Sequence, residues 1–260
     1  MLRKILLAAL LAGLPVLTMA QTPEEKGLQI AQDADAYDQG FVDFTADMRM
    51  TLRNKKGDES VRQIRIRTLE VDGDGDKSLS IFDEPAVVKG TAMLTWSHGL
   101  EPDDQWLYLP AIKRVKRISS RNKSGPFMGS EFAFEDLGSQ ELEKYSYKYL
   151  RDEPCGEYQC YVIERVPAYE FSGYTRQHVW LDKEAYRMIK VDFFDRKGEP
   201  LKTLNASGYR QFLDRYWRPA RMEMVNHQNG KSTLLEWTDY RFQTGLGEND
   251  FRSQTLKRAR

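Results

Sequence analysis

Three groups of side chains in this 260-residue chain have the types and spacing to do chemistry. Asp72-Gly-Asp-Gly-Asp76, followed by Ser78, Ser80 and Asp83, repeats oxygen donors at alternate positions as a calcium loop does. Lys77 stands where an EF-hand loop needs glycine, Asp83 replaces the bidentate glutamate, and both flanks have strand patterns. The segment predicts an acidic hairpin turn, with cation binding as the alternative. Cys155 and Cys160 are the only cysteines and flank four residues. In an exported chain that spacing predicts a disulfide pinning a hairpin, whereas a catalytic dithiol needs the tighter C-x-x-C. The third group is Glu131, Glu135, Asp136, Glu141 and Glu143, which could supply a carboxylate pair for acid–base work but read better as a solvated helix face.

Nothing else suggests catalysis. His98, His178 and His227 are far apart and belong to no H-E-x-x-H or Cys/His cluster. G-x-S-x-G is missing, so there is no nucleophile elbow. The expectation is a protein that is not an enzyme and uses no metal or cofactor.

Two adjacent stretches point toward binding instead. Residues 104–118 carry an aromatic strand, Trp106-Leu-Tyr-Leu-Pro110, that turns into a doubly basic one containing Lys113, Arg114, Lys116 and Arg117. Residues 125–134, Gly-Pro-Phe-Met-Gly-Ser-Glu-Phe-Ala-Phe, are apolar without the alternation of a core strand. Together they suit an anionic amphiphile or a phospholipid surface. For the basic strand a second reading stands beside docking: charge on an edge strand discourages aggregation.

The elements that must position these groups follow from period. Arg3 and Lys4 precede an apolar run to Val16, and Thr18-Met19-Ala20 offers small residues, which predicts a signal peptide over 1–20 cut after Ala20 and hence the periplasm. Removing those two of the 39 basic residues leaves 37 against 39 acidic, a charge near −2 that argues against nucleic acid. Residues 21–260 are expected to form one domain. Thr22, Glu24 and Glu25 suit the start of a helix over 23–40. From Phe41 the period becomes two, with Phe44, Ala46, Met48, Met50 and Leu52 on one face. Further strands are predicted at 61–71, 77–83, 90–97, 105–109, 114–119, 145–151, 158–166, 175–182, 188–195, 200–213, 218–227 and 233–242, with a short helix within 134–145. Short turns such as Asn54-Lys-Lys-Gly57 favour an antiparallel meander. The expected class is mainly β with a few helices, built on one large curved sheet.

A curved sheet of this size must fill its concavity with side chains, helices or a ligand. The candidate lipid contacts are Met48, Met50, Trp96, Trp106, Tyr108, Phe127, Met128, Phe132 and Phe134, although any one of them taken singly reads better as core. Arg114, Lys116 and Arg117 are candidates for a head group or a docking partner.

The order of signal peptide, first helix, long strands, Trp106-Leu-Tyr-Leu-Pro110 hairpin and Gly125-Pro-Phe-Met-Gly-Ser-Glu-Phe segment ending in Glu135-Asp-Leu137 resembles the outer membrane lipoprotein-sorting (LolA-like) family, chiefly its stand-alone members. The resemblance covers nearly the whole mature chain. It implies an unclosed β-barrel with a helical lid over an apolar cavity, in which the family's carriers hold lipoprotein acyl chains. It also implies an RND-type exporter of the inner membrane as partner, and lipid or acylated protein as cargo. The expected function is thus a periplasmic carrier moving acylated molecules toward the outer membrane. An envelope lipid sensor or scaffold that docks an inner-membrane partner is the rival, and a lipid-modifying hydrolase the third choice.

Overall fold

The computed structural model describes residues 21–258; the predicted signal peptide and its cleavage site lie outside them. Among the described residues the chain forms one α-helix and fifteen strands, with short 3-10 turns between them. Helix α1 spans Pro23–Asp38, and Thr22 closes its start: its Oγ1 accepts from the Glu25 amide at 3.2 Å while its own amide donates to Glu25 Oε2 at 2.8 Å. The strands are β1 Asp43–Arg53, β2 Glu59–Leu69, β3 Lys77–Glu84, β4 Ala92–Trp96, β5 Asp104–Leu109, β6 Arg114–Ile118, β7 Tyr145–Cys155 and β8 Tyr158–Pro167. They continue as β9 Arg176–Asp182, β10 Met188–Phe194, β11 Pro200–Ser207, β12 Arg210–Phe212, β13 Tyr216–Arg218, β14 Arg221–Asn226 and β15 Ser232–Phe242.

Thirteen strands make one antiparallel sheet in the order β6-β5-β4-β3-β2-β1-β15-β14-β11-β10-β9-β8-β7, and β12 and β13 pair separately. The first strand neighbours the last. The sheet ends at β6 and β7, which do not pair, so the barrel is unclosed. The predicted strand over 200–213 divides at Gly208, whose φ of +66° turns the chain into the β12–β13 hairpin.

Alternation gives the sheet two apolar faces. Met48, Met50, Ile64, Met93 and Leu107 join Val179, Val191, Leu204, Met224 and Leu235 in one buried cluster on the inner face. Leu79, Ile81, Ala92 and Leu94 face outward, under Phe251 and Leu256 of two 3-10 turns, Glu248–Phe251 and Ser253–Arg258. Cys155 and Cys160 form the expected disulfide across the β7–β8 hairpin, with Cα atoms 5.9 Å apart.

The segment from Ser119 to Lys144 joins the two edge strands along the inner face. It contains no α-helix. The expected helix within 134–145 is replaced by 3-10 turns at Phe134–Leu137 and Leu142–Lys144, separated at Gly138, where a Cβ would meet Asp103 Oδ2 at 2.7 Å. Of the carboxylates expected on a solvated helix face, Glu135 is buried, Glu131, Asp136 and Glu141 are half-buried, and Glu143 alone is exposed. Asp136 Oδ2 lies 2.8 Å from the Lys202 ammonium, which also donates to the Glu131 carbonyl at 2.8 Å, and Tyr174 Oη donates to Asp136 Oδ1 at 2.8 Å. Glu135 accepts from Ser172 Oγ, the Gly173 amide and Tyr169 Oη. Burial, and then the neighbouring Asp136, push its carboxyl above the usual range. Arg62 donates to the Met128 carbonyl at 2.6 Å, and Gln105 Nε2 to that of Phe134 at 2.8 Å. These buried polar bonds fasten the segment as a strap across the opening.

Candidate functional site

Between α1, the strap and the inner face lies a cavity of about 1340 Å³. The same period-two alternation that builds the core supplies its floor, with Val179 and Leu181 from β9, Val191 and Phe193 from β10, Leu204 from β11, and Met222, Met224 and Trp237 from β14 and β15. Ala31 and Ala34 of α1 form the roof, and Phe132, Leu137 and Leu142 of the strap one side. Helix α1 sits close to β7 because residue 27 is glycine. A Cβ there would lie 2.6 Å from the Tyr149 amide nitrogen and 2.8 Å from Lys148 Cα.

Most charged groups that line the cavity are already engaged. Arg187 binds Asp182 through Nε at 2.8 Å and lies over the Trp217 ring, and Arg218 holds Asp38 at 2.6 Å. The mouth is acidic, formed by Asp35 and Asp38 at the end of α1, by 70–76 and by Glu141 and Glu143 of the strap. Burial, followed by repulsion from Glu143 and Asp38, raises the Asp35 carboxyl above its ordinary value. Burial also raises Glu141. Asp76 is pushed up to about 7 by burial, with Glu141 and Glu70 adding to it. The acidic run of the sequence is thus an inward turn at a cavity mouth; its Asp74 accepts from His98 Nδ1 at 2.8 Å. Among the described residues no group of three or more His, Cys, Asp or Glu side chains is arranged to hold a metal.

A carboxyl raised by folding binds a proton that the unfolded chain has released, so it lowers stability as pH rises from about 4 through about 7. Replacing Asp76 by asparagine is therefore expected to stabilise the protein at pH 8 by up to about 4 kcal/mol and to leave it unchanged near pH 3. Urea midpoints at the two pH values measure this; equal shifts at both would contradict the assignment.

The structure separates the sequence-predicted contacts into three places. Phe132 lines the cavity. Met48, Met50 and Phe127 are buried beside it, with Met128 and Phe134 packed against them, as the plug that fills the other half of the concavity. Trp96, Trp106 and Tyr108 are on the outer face, which corrects the expectation that they line the cavity. Register explains this: Ala92 pairs Tyr108 and Leu94 pairs Trp106, while Met93 pairs Leu107 on the inner side. Trp96 and Trp106 meet edge to face at 5.0 Å, and Trp96 Nε1 donates to the Phe251 carbonyl at 2.7 Å. Arg114, Lys116 and Arg117 are exposed on the edge strand β6, with Arg117 paired to Asp104. None of the three reaches the cavity.

A family model described as an uncharacterized protein matches residues 74–258. Among solved structures, a domain from Vibrio parahaemolyticus described as an outer membrane lipoprotein-sorting protein is 58% identical, with a TM-score of 0.89 over 90% of this chain and 99% of that one. A DUF1329 family protein from Desulfovibrio piger is 29% identical, with a TM-score of 0.86 over 90% and 99%. A LolA superfamily protein from Nitrosomonas europaea, at 20% identity and a TM-score of 0.70 over 88% and 98%, shares the fold. A search of the curated proteins gives no significant match.

Proposed function

Because the chain belongs to the DUF1329 family of LolA-like, lipoprotein-sorting-type proteins, we propose that it is a periplasmic carrier holding the acyl part of a lipid or lipoprotein under α1, without chemistry of its own. The cavity is the observation that carries this reading. Its volume exceeds the several hundred cubic ångströms of an ordinary small-molecule pocket, and Met188, Met222 and Trp237 in its walls adapt to irregular apolar shapes. Burying an acyl chain yields about 0.8 kcal/mol per methylene, so a chain of roughly sixteen carbons gains on the order of 12 kcal/mol before losses.

Residues 21–258 act in this reading as one lipid-binding unit. The head group stays at the mouth, where Asp35, Asp76 and Glu141 favour a zwitterionic or cationic group over an anionic one. The RND-type exporter is the proposed partner for handover, on the strength of the family resemblance.

Ala34 is half-buried on α1 and faces the cavity, so Ala34→Trp projects a large side chain into it and obstructs the space under the roof, at a helix-propensity cost of only about 0.5 kcal/mol. The variant is expected to bind a fluorescent fatty-acyl probe at least tenfold more weakly with an unchanged melting temperature. Equal affinity in wild type and variant would remove the cavity as the binding site.

A further inference from the structure

The two ends of the barrel differ in charge. Strand pairing places the connections 54–58, 85–91, 110–113, 195–199 and 227–231 at one end, and the connections 70–76 and 97–103, with the acidic cavity mouth, at the other. At the first end Val87 is 85% exposed and Ile112 50% exposed, on neighbouring turns where Gly90 approaches Pro110. Lys89 and Lys113 stand in these same turns, Arg114 and Lys116 follow on β6, and Lys55 and Lys56 are in the 54–58 connection at the same end; all six are exposed and form no ion pair among the described residues. The opposite end also exposes apolar side chains, Leu100 at 61% and Val42 at 50%, but there they stand among Glu70, Asp72, Asp74 and Glu101.

We propose that this basic end is a docking surface for an anionic phospholipid bilayer, with Val87 and Ile112 entering the interface and the lysines meeting the head groups. Apolar tips with unpaired cations at the same end match what holds peripheral proteins on such surfaces: buried apolar area plus attraction to anionic lipid. Charge complementarity chooses the occupant and the end, since an acidic rim is repelled by the same surface. The carrier then stands on the membrane with its cavity mouth turned away from it, open to a partner. Arg114 and Lys116 gain a role that their distance from the cavity had denied them, and Val87 and Ile112 one that no motif suggested. The proposal concerns a surface remote from the cavity, so it can fail while the carrier reading stands.

The test is co-flotation of the protein with phosphatidylcholine vesicles prepared with and without phosphatidylglycerol, at low and high ionic strength. Wild type is expected to float with the anionic vesicles only, and to be released by salt. Val87→Ser with Ile112→Ser, and separately Lys89→Glu with Lys113→Glu, are expected to lower partitioning at least tenfold. Both should keep the wild-type melting temperature and acyl-probe affinity. Leu100→Ser, at the opposite end, should float like wild type. No flotation of the wild type, equal flotation with neutral vesicles, undiminished flotation of either double variant, or a loss in Leu100→Ser as large as theirs would overturn the proposal.

Discussion

Replacing Lys202 by methionine is expected to destabilise the protein by about 3–5 kcal/mol, lowering the melting temperature by roughly 6–20 °C for a domain of this size. Lys202 is 4% exposed and is the buried cation beside Asp136. Its ammonium also lies about 5 Å from the Tyr174 and Phe193 rings. Methionine preserves much of the volume, so the loss measures charge rather than packing. What remains is the Asp136 carboxylate, held by Tyr174 Oη and the Ala133 amide but without a neighbouring cation. The double replacement Lys202→Met with Asp136→Asn should recover part of the loss, because removing both charges ends the uncompensated burial. Thermal unfolding of wild type, Lys202→Met, Asp136→Asn and the double variant measures the coupling. A single variant as stable as wild type would mean that the strap is held by its apolar contacts alone, Phe127 and Phe132 above all.

The second large effect is expected from the smallest change. Gly27→Ala adds one methyl to α1, which by helix propensity alone should stabilise it by about 0.8–1.0 kcal/mol. The contact decides otherwise. The added carbon would fall 2.6–2.8 Å from three backbone atoms of Lys148 and Tyr149 in β7, which cannot swing away as a side chain could. Helix α1 must therefore lift, loosening the cation–π contact of Lys26 with Tyr149 at 3.4 Å and the Lys148–Glu24 pair at 3.3 Å. Since α1 roofs the cavity, acyl-probe affinity should fall at least tenfold and limited proteolysis should cut first within residues 23–40. A variant more resistant to protease than wild type would show that propensity outweighs the clash, and that α1 is not seated as described.

The sheet was legible because its information is local. Period-two alternation and Gly- or Asn-bearing turns mark nearly every strand, and the disulfide follows from two cysteines on either side of one turn. The cavity was not, because its floor is made by the alternation that also makes a packed core. Val179, Val191 and Leu204 differ from Met48 and Met50 only in where the curved sheet leaves space above them. The aromatic pair Trp96 and Trp106 drew attention through size, whereas parity carried the answer. Met93 and Trp96 are three residues apart on one strand and cannot share a face. The strap was missed for a related reason. Lys202 occupies the same strand face as the buried Leu204 and Ala206, and a charge at an apolar position was the available sign of a buried partner.

Mass spectrometry of the native protein, purified without detergent, reads out whether the cavity under α1 holds acyl chains. An acylated molecule is expected to co-purify with wild type near one per chain and to be largely absent from Ala34→Trp prepared in parallel. A wild-type protein that carries no lipid and takes up none from added vesicles or acyl probes would contradict this expectation, and would favour the scaffold reading instead.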